Sequence, residues 1–310
     1  MNRLIKHTIL VITYNQCDTL PICLNSILNE EVLPYEIIIG DDCSTDNTWD
    51  LILEFQSRFP SIIKAYRNEI NLGVFGNWNK LMTQASGEIV SLIAGDDFFK
   101  PGLLNCLNKE INNHNLNGRE ERFILVTNSI TLKESGQEEL YNNYQLKNEN
   151  IFKARIRYGI SYREVGISRK LFDDLDPIRN DLGYHADWIY IIDQVYKCDD
   201  FYFINEAFSV YRLGSGVTSS SKTNNLIESK LKVIEVIKSK YNDKLDNQDL
   251  RFLAYWKARH VYLLNKSSKN YLKLAYWQFI NICNFTPNNS FLFNFKILFS
   301  GPIRQILRNL

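Results

Sequence analysis

Two pairs of adjacent aspartates in this chain each end a short apolar run. Asp41-Asp42 closes an isoleucine-rich run, and Asp96-Asp97 closes a run of aliphatic residues. In an open parallel α/β sheet the ligand lies outside the carboxyl ends of the strands, so acids at these places face it. Carboxylates accept charge-assisted hydrogen bonds from a base N–H and also coordinate hard divalent cations. The two pairs therefore suit a nucleotide base at one strand end and a metal-bound diphosphate at the other.

Strand-like and helix-like stretches alternate through the first hundred residues. The apolar run from residue 8 to 13 is continuous, as expected of a strand covered on both faces, and a helix with Asp18 as its cap follows it. Further strands are predicted at 37–39, 62–66 and 89–94, and further helices at 49–55, at 77–85 and from Pro101. Alternation at this spacing favours βαβ units and a mostly parallel sheet flanked by helices.

The pattern weakens after residue 113 and changes again near residue 221. Residues 123–126 predict a strand, whereas the polar segment 133–150 predicts an exposed loop. Later stretches predict a strand at 165–168, a helix at 187–195, a final strand pair at 201–211, and helices at 226–237, 252–265 and 270–283. We therefore expect a first domain over residues 1–221 and a helical C-terminal region over residues 222–310.

Composition is typical of a globular protein. The 310 residues are 45% hydrophobic and 23% charged, with a formal net charge of +1. This balance gives no electrostatic argument for nucleic acid as a partner. Six cysteines without Cys-x-x-Cys spacing, together with four histidines, argue against a zinc cage and for reduced thiols. The start has no apolar signal segment and no small-residue cleavage site, so we expect a cytoplasmic protein.

Four motifs in order carry a resemblance to a known family. They are Val11–Asn15, Gly40–Thr48, Asn71-Leu72-Gly73 with Asn79, and Ala85–Ile89 leading into Asp96-Asp97. Together they resemble glycosyltransferase family 2 over residues 7–102, with weaker agreement to about residue 212. The resemblance implies a GT-A fold, which is a Rossmann-like sheet flanked by helices. It also divides the first domain near residue 102 into a nucleotide-sugar half and an acceptor half.

The resemblance implies a nucleotide-sugar site lined by Thr13, Tyr14, Asn15, Asp42, Arg67, Gly73, Asn79 and Asp96. Within this site Asp42 would accept the uracil N3–H, and Arg67 or the adjacent Asn68 would reach the base or the diphosphate. Gly73 is expected to adopt a positive φ beneath the nucleotide. The alternatives are structural: a turn-forming aspartate pair, a surface ion pair for Arg67, and an ordinary loop glycine at position 73.

The resemblance also implies a divalent cation, Mn²⁺ or Mg²⁺, with Asp97 as its ligand and Asp96 touching ribose or a sugar hydroxyl. The alternative for this pair is a solvated acid pair before a helix. The chain departs from the family at Gly95, where another acid is usual, at Gly214, where a metal-binding histidine can follow Tyr211-Arg212, and at Trp78, where many relatives have arginine. These departures predict a metal site with few protein ligands and leave a phosphate contact at residue 78 unsupported.

A general base is the remaining requirement, and Asp187 resembles the catalytic aspartate of the family. It would take the proton of the acceptor hydroxyl as that oxygen attacks the anomeric carbon in a single, inverting displacement. The cation would stabilise the departing nucleoside diphosphate. Asp181, Asp193 and His185 are the rival candidates for the base. The sequence has neither the Gln-x-x-Arg-Trp motif nor the long membrane spans of processive synthases, which favours transfer of one sugar.

The C-terminal tail raises the question of membrane contact. No stretch has the ~18 apolar residues of a membrane span, and residues 291–299 come nearest. Pro302, Arg304 and Arg308 follow this apolar stretch. The tail therefore predicts either an interfacial helix on the inner leaflet or a helix packed on the catalytic domain or on a second subunit.

These observations together predict a cytoplasmic, metal-dependent, inverting GT-A glycosyltransferase, with the cytoplasmic face of the inner membrane as a further possible location. It would move one hexose or N-acetylhexosamine from a UDP-sugar to a bacterial surface-glycan intermediate, with a lipid-linked acceptor and a homo-oligomer left open. One alternative is a non-catalytic nucleotide-sugar-binding or scaffolding subunit of a glycan-assembly complex. Another is a nucleotidyltransferase, but residues 13–16 are not the Gly-rich phosphate loop that such an enzyme carries.

Overall fold

The computed structural model describes residues 3–148, 150–158, 164–214 and 223–264. These residues form two compact units, each described here by itself. The first unit takes the described residues of 1–152, 161–180 and 190–220, and the second those of 153–160, 181–189 and 221–310. The predicted domain boundary at residue 221 stays a prediction, because the second unit also takes in two segments that precede it.

The described residues contain a nine-stranded sheet. Its strands are β1 (His7–Thr13), β2 (Glu36–Asp41), β3 (Ile63–Arg67), β4 (Ile89–Ala94), β5 (Phe98–Phe99), β6 (Phe123–Leu132), β7 (Glu138–Tyr141), β8 (Glu164–Ser168) and β9 (Asp200–Arg212). The spatial order is β3-β2-β1-β4-β8-β6-β9-β5, and β7 pairs with β6. Strands β1 to β4 pair in parallel, whereas β8 joins both β4 and β6 in antiparallel fashion. The predicted fold class is confirmed.

Helices connect and flank these strands. They are α1 (Leu20–Leu28), α2 (Thr48–Arg58), α3 (Gly73–Met82), α4 (Leu103–Asn113), α5 (Ile151–Tyr158), α6 (Arg169–Asp173), α7 (Ala186–Lys197), α8 (Thr223–Lys240) and α9 (Asn247–Leu264). Every residue of β1 and β2 is buried, which explains why these strands are continuous apolar runs rather than alternating ones. Helices α1 and α4 bury their apolar stripes in the same core cluster as these strands.

Three local predictions differ from the structure. Thr19, not Asp18, is the N-cap of α1, and the carbonyl of Gln16 accepts the first amides of this helix. The segment 133–150 contains β7 and a 3₁₀ helix at Asn143–Asn148. Every residue of β7 is exposed, so it carries no apolar alternation from which a strand is recognised. The final strand pair is one strand, β9, whose register against β6 shifts at a bulge.

The second unit is held together by an ion cluster and by packed aromatic rings. Asp249 is fully buried and binds both the Lys153 ammonium and Arg157 Nε. Asp246 accepts from Lys153 Nζ at 2.8 Å, and this hydrogen bond holds the pKa of the Asp246 carboxyl well below its usual range. The rings of Trp188 and Trp256 meet edge to face at 5.7 Å.

No helix among the described residues has the length and apolar character needed to cross a membrane. The tail after residue 264, for which the sequence predicts an interfacial or packed helix, lies outside the described residues.

Candidate active site

Parallel pairing brings the ends of β1, β2 and β4 to one edge of the sheet. Thr13 at the end of β1 lies opposite Asp41 of β2, and Ile12 lies opposite Ala94 of β4. The two aspartate pairs therefore follow strands that flank β1 on either side. Their strands are separated by two strand spacings, about 10 Å. The first unit thus gathers Thr13, both aspartate pairs and the loops that follow them at the ligand-binding edge of an α/β sheet.

The loops after β1 and β2 are tied together by hydrogen bonds. Asn15 has a left-handed backbone with φ of 51°. Its Oδ1 accepts from the Thr45 amide at 2.8 Å, and its own amide donates to Ser44 Oγ at 2.9 Å. The Gln16 amide donates to Thr48 Oγ1 at 2.8 Å. The predicted binding residue Asn15 therefore fixes the conformation of both loops, while its neighbour Tyr14 is exposed.

Asp41 and Arg67 stabilise the loop after β2. Asp41 is fully buried, accepts from the amide and hydroxyl of Ser44, and lies 3.2 Å from Arg67 Nε. Arg67 Nη2 also donates to the Ser44 carbonyl at 2.8 Å, and its guanidinium lies over the Trp49 ring. Asp41 thus has the turn-forming role that the sequence left open. The predicted contact of Arg67 with the nucleotide stays a prediction.

Asp42 has a different environment, with its two carboxylate oxygens in different situations. Only 3% of the residue is exposed. Its Oδ1 accepts from Asn68 Nδ2 at 2.9 Å and from the Leu72 amide at 2.8 Å. No described residue donates to Oδ2. A carboxylate with one oxygen held in place and the other available fits a base N–H, which is the role that the resemblance implies.

Helix α3 supplies the next two predicted residues. Gly73 has φ of 76°, so the predicted positive φ is confirmed, and its amide donates to Asn71 Oδ1 at 3.0 Å. Both polar atoms of the Asn79 amide are engaged with the backbone of Ile178, because Nδ2 donates to its carbonyl and Oδ1 accepts from its amide, each at 2.8 Å. Asn79 therefore holds the 178 segment on α3, and its predicted contact with the donor sugar stays a prediction. Trp78 packs edge-on against Tyr190 at 5.5 Å.

The second aspartate pair follows β4 directly. Asp96 and Asp97 are 4% and 5% exposed. The Arg212 amide donates to Asp97 Oδ1 at 3.0 Å, and the Arg212 guanidinium lies over the Phe98 ring at 5.0 Å. Arg212 belongs to the Tyr-Arg pair noted in the sequence, so the fold brings that pair to the acidic strand end.

Both glycine departures have a structural reason. A Cβ at Gly95 would lie 2.7 Å from Gln16 Oε1 and 3.0 Å from Thr13 Oγ1, two atoms that hydrogen-bond to each other at 2.8 Å. Gly214 has φ of 97°, and a Cβ there would overlap the Glu134 carboxylate. The Gln16 and Glu134 side chains would have to shift to admit a side chain at these positions, and at residue 214 the positive φ adds backbone strain for any residue other than glycine. The sequence alone did not indicate either residue, because each lies beside a glycine that is distant in the sequence.

Asp187 lies in the second unit, in the first turn of α7. The turn before it is fixed by Ser229 Oγ, which accepts from the His185 amide at 2.8 Å and donates to the Leu182 carbonyl at 2.7 Å. Burial, assisted by the Lys230 charge, lowers the pKa of His185 to about 4. His185 is therefore neutral near pH 7. Of the other rivals, Asp181 is exposed and Asp193 is buried.

A family model for glycosyl transferase family 2 matches residues 8–167, just over half of the chain. The chain belongs to glycosyltransferase family 2.

Several known proteins and solved structures resemble the chain to different extents. An uncharacterized protein of Mycobacterium bovis is 33% identical over 93 residues, which cover 30% of this chain and 27% of that protein's length. The Escherichia coli UDP-Glc:alpha-D-GlcNAc-diphosphoundecaprenol beta-1,3-glucosyltransferase WfgD is 27% identical over 224 residues, 69% of this chain and 80% of WfgD. The crystal structure of S. aureus TarS 1-349 in complex with UDP-GlcNAc has a TM-score of 0.62 at 20% identity, covering 90% of this chain and 80% of that one. The TarS comparison shows the same GT-A fold.

The acidic strand end has the donor chemistry that a divalent cation requires. Mg²⁺ and Mn²⁺ prefer oxygen ligands, and Mg²⁺ often takes only one or two carboxylates, with substrate phosphates and waters completing the shell. Asp96 and Asp97 offer such oxygens. Among the described residues no three His, Cys, Asp or Glu side chains converge into a metal-binding group. The carboxylates of Asp96 and Asp97 are thus of the type that such a cation binds, and a cation at this strand end stays a prediction.

Proposed function

We propose that this glycosyltransferase transfers one sugar, with inversion, from a UDP-sugar to a hydroxyl of a bacterial surface-glycan intermediate. The proposal rests on the hydrogen bonding of Asp42. Two donors hold its Oδ1, whereas no described residue donates to its Oδ2. This arrangement suits recognition of a base that carries an N–H, such as uracil. The family match and the UDP-GlcNAc bound to a protein of the same fold support the choice of donor.

The chemistry divides between the two acidic strand ends and Asp187. Asp42 and the loops around it would orient the nucleotide, and Asp96 would contact ribose or a sugar hydroxyl. Asp97 would hold a divalent cation, Mn²⁺ or Mg²⁺, which when bound neutralises the charge of the departing diphosphate. Asp187 would remove the proton from the acceptor hydroxyl as it attacks the anomeric carbon. His185 is a weaker choice of base, because its lowered pKa makes it a poor proton acceptor near neutral pH.

A lipid-linked acceptor is the form of surface-glycan intermediate that we propose. The support is the name of WfgD, which acts on a GlcNAc-diphosphoundecaprenol and aligns with 69% of this chain. We propose the cytoplasmic face of the inner membrane as the location of the reaction, because an acceptor of this kind is anchored in the bilayer by its lipid. Whether a hexose or an N-acetylhexosamine is transferred is decided by testing donors of both classes.

The donor site is tested by thermal unfolding with UDP, CDP, ADP and GDP, each with and without Mn²⁺. A ligand at about 100 times its dissociation constant adds roughly 2.7 kcal/mol to stability. We expect stabilisation by UDP that depends on Mn²⁺ and is lost in Asp97→Ala. The absence of any shift with any nucleotide in the wild-type protein would refute the donor site.

Catalysis is tested separately with UDP-sugars of both classes and a synthetic GlcNAc-diphospholipid acceptor. Asp187→Asn keeps the size of the side chain but removes the base, so we expect transfer to fall by about 10²-fold or more while UDP binding is unchanged. Asp181→Asn, which changes the exposed rival acid six residues earlier, should leave transfer unchanged. Unchanged transfer in Asp187→Asn would refute the assignment of the base.

A non-catalytic subunit that binds nucleotide-sugars is the second candidate. It is favoured by Gly95 and Gly214, which supply no ligand atoms for a cation at the two positions where the family resemblance implies an acid and a histidine. This candidate predicts that the wild-type protein binds UDP but transfers no sugar to any acceptor. Measurable transfer by the wild-type protein and its loss in Asp187→Asn would exclude it.

A further inference from the structure

Asn68, the residue after β3, lies between Asp42 and Lys80 in a chain of hydrogen bonds. Its Nδ2 donates to Asp42 Oδ1 at 2.9 Å and to Asn77 Oδ1 at 3.1 Å. Its Oδ1 accepts from Lys80 Nζ at 2.9 Å. Asn68 is only 4% exposed, whereas Lys80 is on the surface. The surface ammonium is thus connected to the buried carboxylate through a single amide.

The order of donors and acceptors in this series of hydrogen bonds follows from the chemistry at its two ends. An ammonium can only donate, so the Asn68 atom that faces Lys80 must be the amide oxygen. The Gly40 carbonyl can only accept, so the Asn77 atom that lies 2.7 Å from it must be the amide nitrogen. Both ends impose the same order of donors and acceptors. Asn68 therefore donates to Asp42. Its side-chain amide could flip only by placing its own N–H groups against the Lys80 ammonium.

We infer that Asn68, oriented by Lys80, is the positioning residue that holds Asp42 Oδ1, directs Oδ2 towards the base as an acceptor, and thereby sets the base specificity of the donor site. The inference rests on the proposed function, since it concerns the carboxylate assigned to the base. Uracil and thymine present an N–H at ring position 3, whereas cytosine presents a lone pair there. A carboxylate that only accepts therefore selects UDP and dTDP over CDP.

The readout is the ratio of the dissociation constants of CDP and UDP, measured by titration calorimetry with Mn²⁺. In Asn68→Ala and in Lys80→Met we expect this ratio to fall by about ten-fold, which corresponds to about 1.4 kcal/mol of discrimination. Asn68→Asp places a second carboxylate against Asp42, and two such groups share a proton. A shared proton lets Asp42 donate to cytosine, so in this variant CDP binding should strengthen as the pH is lowered.

A matched control is available in Asn105→Ala. Asn105 also donates from its amide nitrogen to a carboxylate, that of Glu31 at 2.7 Å, but this pair is exposed on the surface. We expect this variant to keep the wild-type ratio. Lys80→Met changes an exposed side chain and keeps the experiment decisive if the Asn68 variants unfold.

The outcomes separate the inference from the proposed function. If the wild-type protein binds no nucleotide, the proposed function fails. If the wild-type protein prefers UDP and the variants keep the same ratio, the inference fails while the proposed function stands. An equal loss of UDP and CDP binding also overturns the inference, because it indicates a structural role without an effect on base choice.

Discussion

A histidine in the core of the first unit makes the protein sensitive to mild acid. His7 begins β1 and is 1% exposed. Its Nε2 lies 2.8 Å from Asn108 Oδ1, which can only accept, so Nε2 carries the proton and Nδ1 does not. Nδ1 is buried and has no hydrogen-bond partner among the described residues. A second proton on the ring would therefore create a buried charge whose new N–H has no acceptor.

Burial accordingly lowers the pKa of His7 to about 4, whereas a histidine in the unfolded chain has a pKa near 6.5. Between pH 6.5 and pH 4 this histidine binds a proton in the unfolded chain but not in the folded protein. Folding stability is therefore lost as the pH falls from about 6.5 to 4. At pH 5 the loss relative to pH 7.5 is about 2 kcal/mol, and it reaches about 3 kcal/mol at pH 4.

The assay is urea unfolding at half-unit steps from pH 7.5 to pH 4.5, comparing the wild-type protein with His7→Gln. Glutamine can still donate to Asn108 but does not titrate, so the stability difference between the two proteins should shrink by about 2 kcal/mol on going from pH 7.5 to 5. Asn113→Gln, which changes an exposed side chain that does not titrate, is the control and should leave the wild-type slope unchanged. A difference between wild type and His7→Gln that is constant across the pH range would refute this reasoning.

Three further substitutions test packing and polar contacts. Gly87→Ala would place a Cβ 2.7 Å from backbone atoms at the start of β1, so urea unfolding should show a loss of about 1–3 kcal/mol. Asp249→Asn removes the fully buried partner of two cations in the second unit, and we expect a loss of about 3 kcal/mol by thermal unfolding. Asn79→Ala leaves both backbone groups of Ile178 without their partner, at a cost of about 2 kcal/mol, and hydrogen exchange at the Ile178 amide should accelerate. Asn79→Asp, which keeps only the acceptor, should lie between wild type and alanine.

The strands of the nucleotide half were predictable because burial on both faces leaves a direct mark on the sequence. All of β1 and β2 is buried, and only a continuous apolar run satisfies that environment. The aspartates at the strand ends were predictable for a related reason, since a carboxylate closing such a run must lie at the sheet edge. Strand β7 was missed because all of its residues face solvent and carry no periodic signal.

The partners of the site residues were less predictable than the residues themselves. Asn68 bonds to a residue 26 positions earlier and to others 9 and 12 positions later. No local pattern specifies such contacts, because they depend on how three separate segments meet after folding. The same holds for Asn79, whose side chain matches a family motif but whose amide is used by Ile178, 99 positions further on.

The interleaving of the two units has a consequence for protein engineering. The described residues of segments 153–160 and 181–189 belong to the second unit, although the first unit surrounds these segments in the chain. A truncation at residue 221 would therefore remove Asp246 and Asp249 and leave Lys153 and Arg157 without these ion-pair partners. For the same reason the C-terminal helices cannot be grafted between family members as a cassette. We expect a working chimera to need both inserted segments exchanged together with α8 and α9.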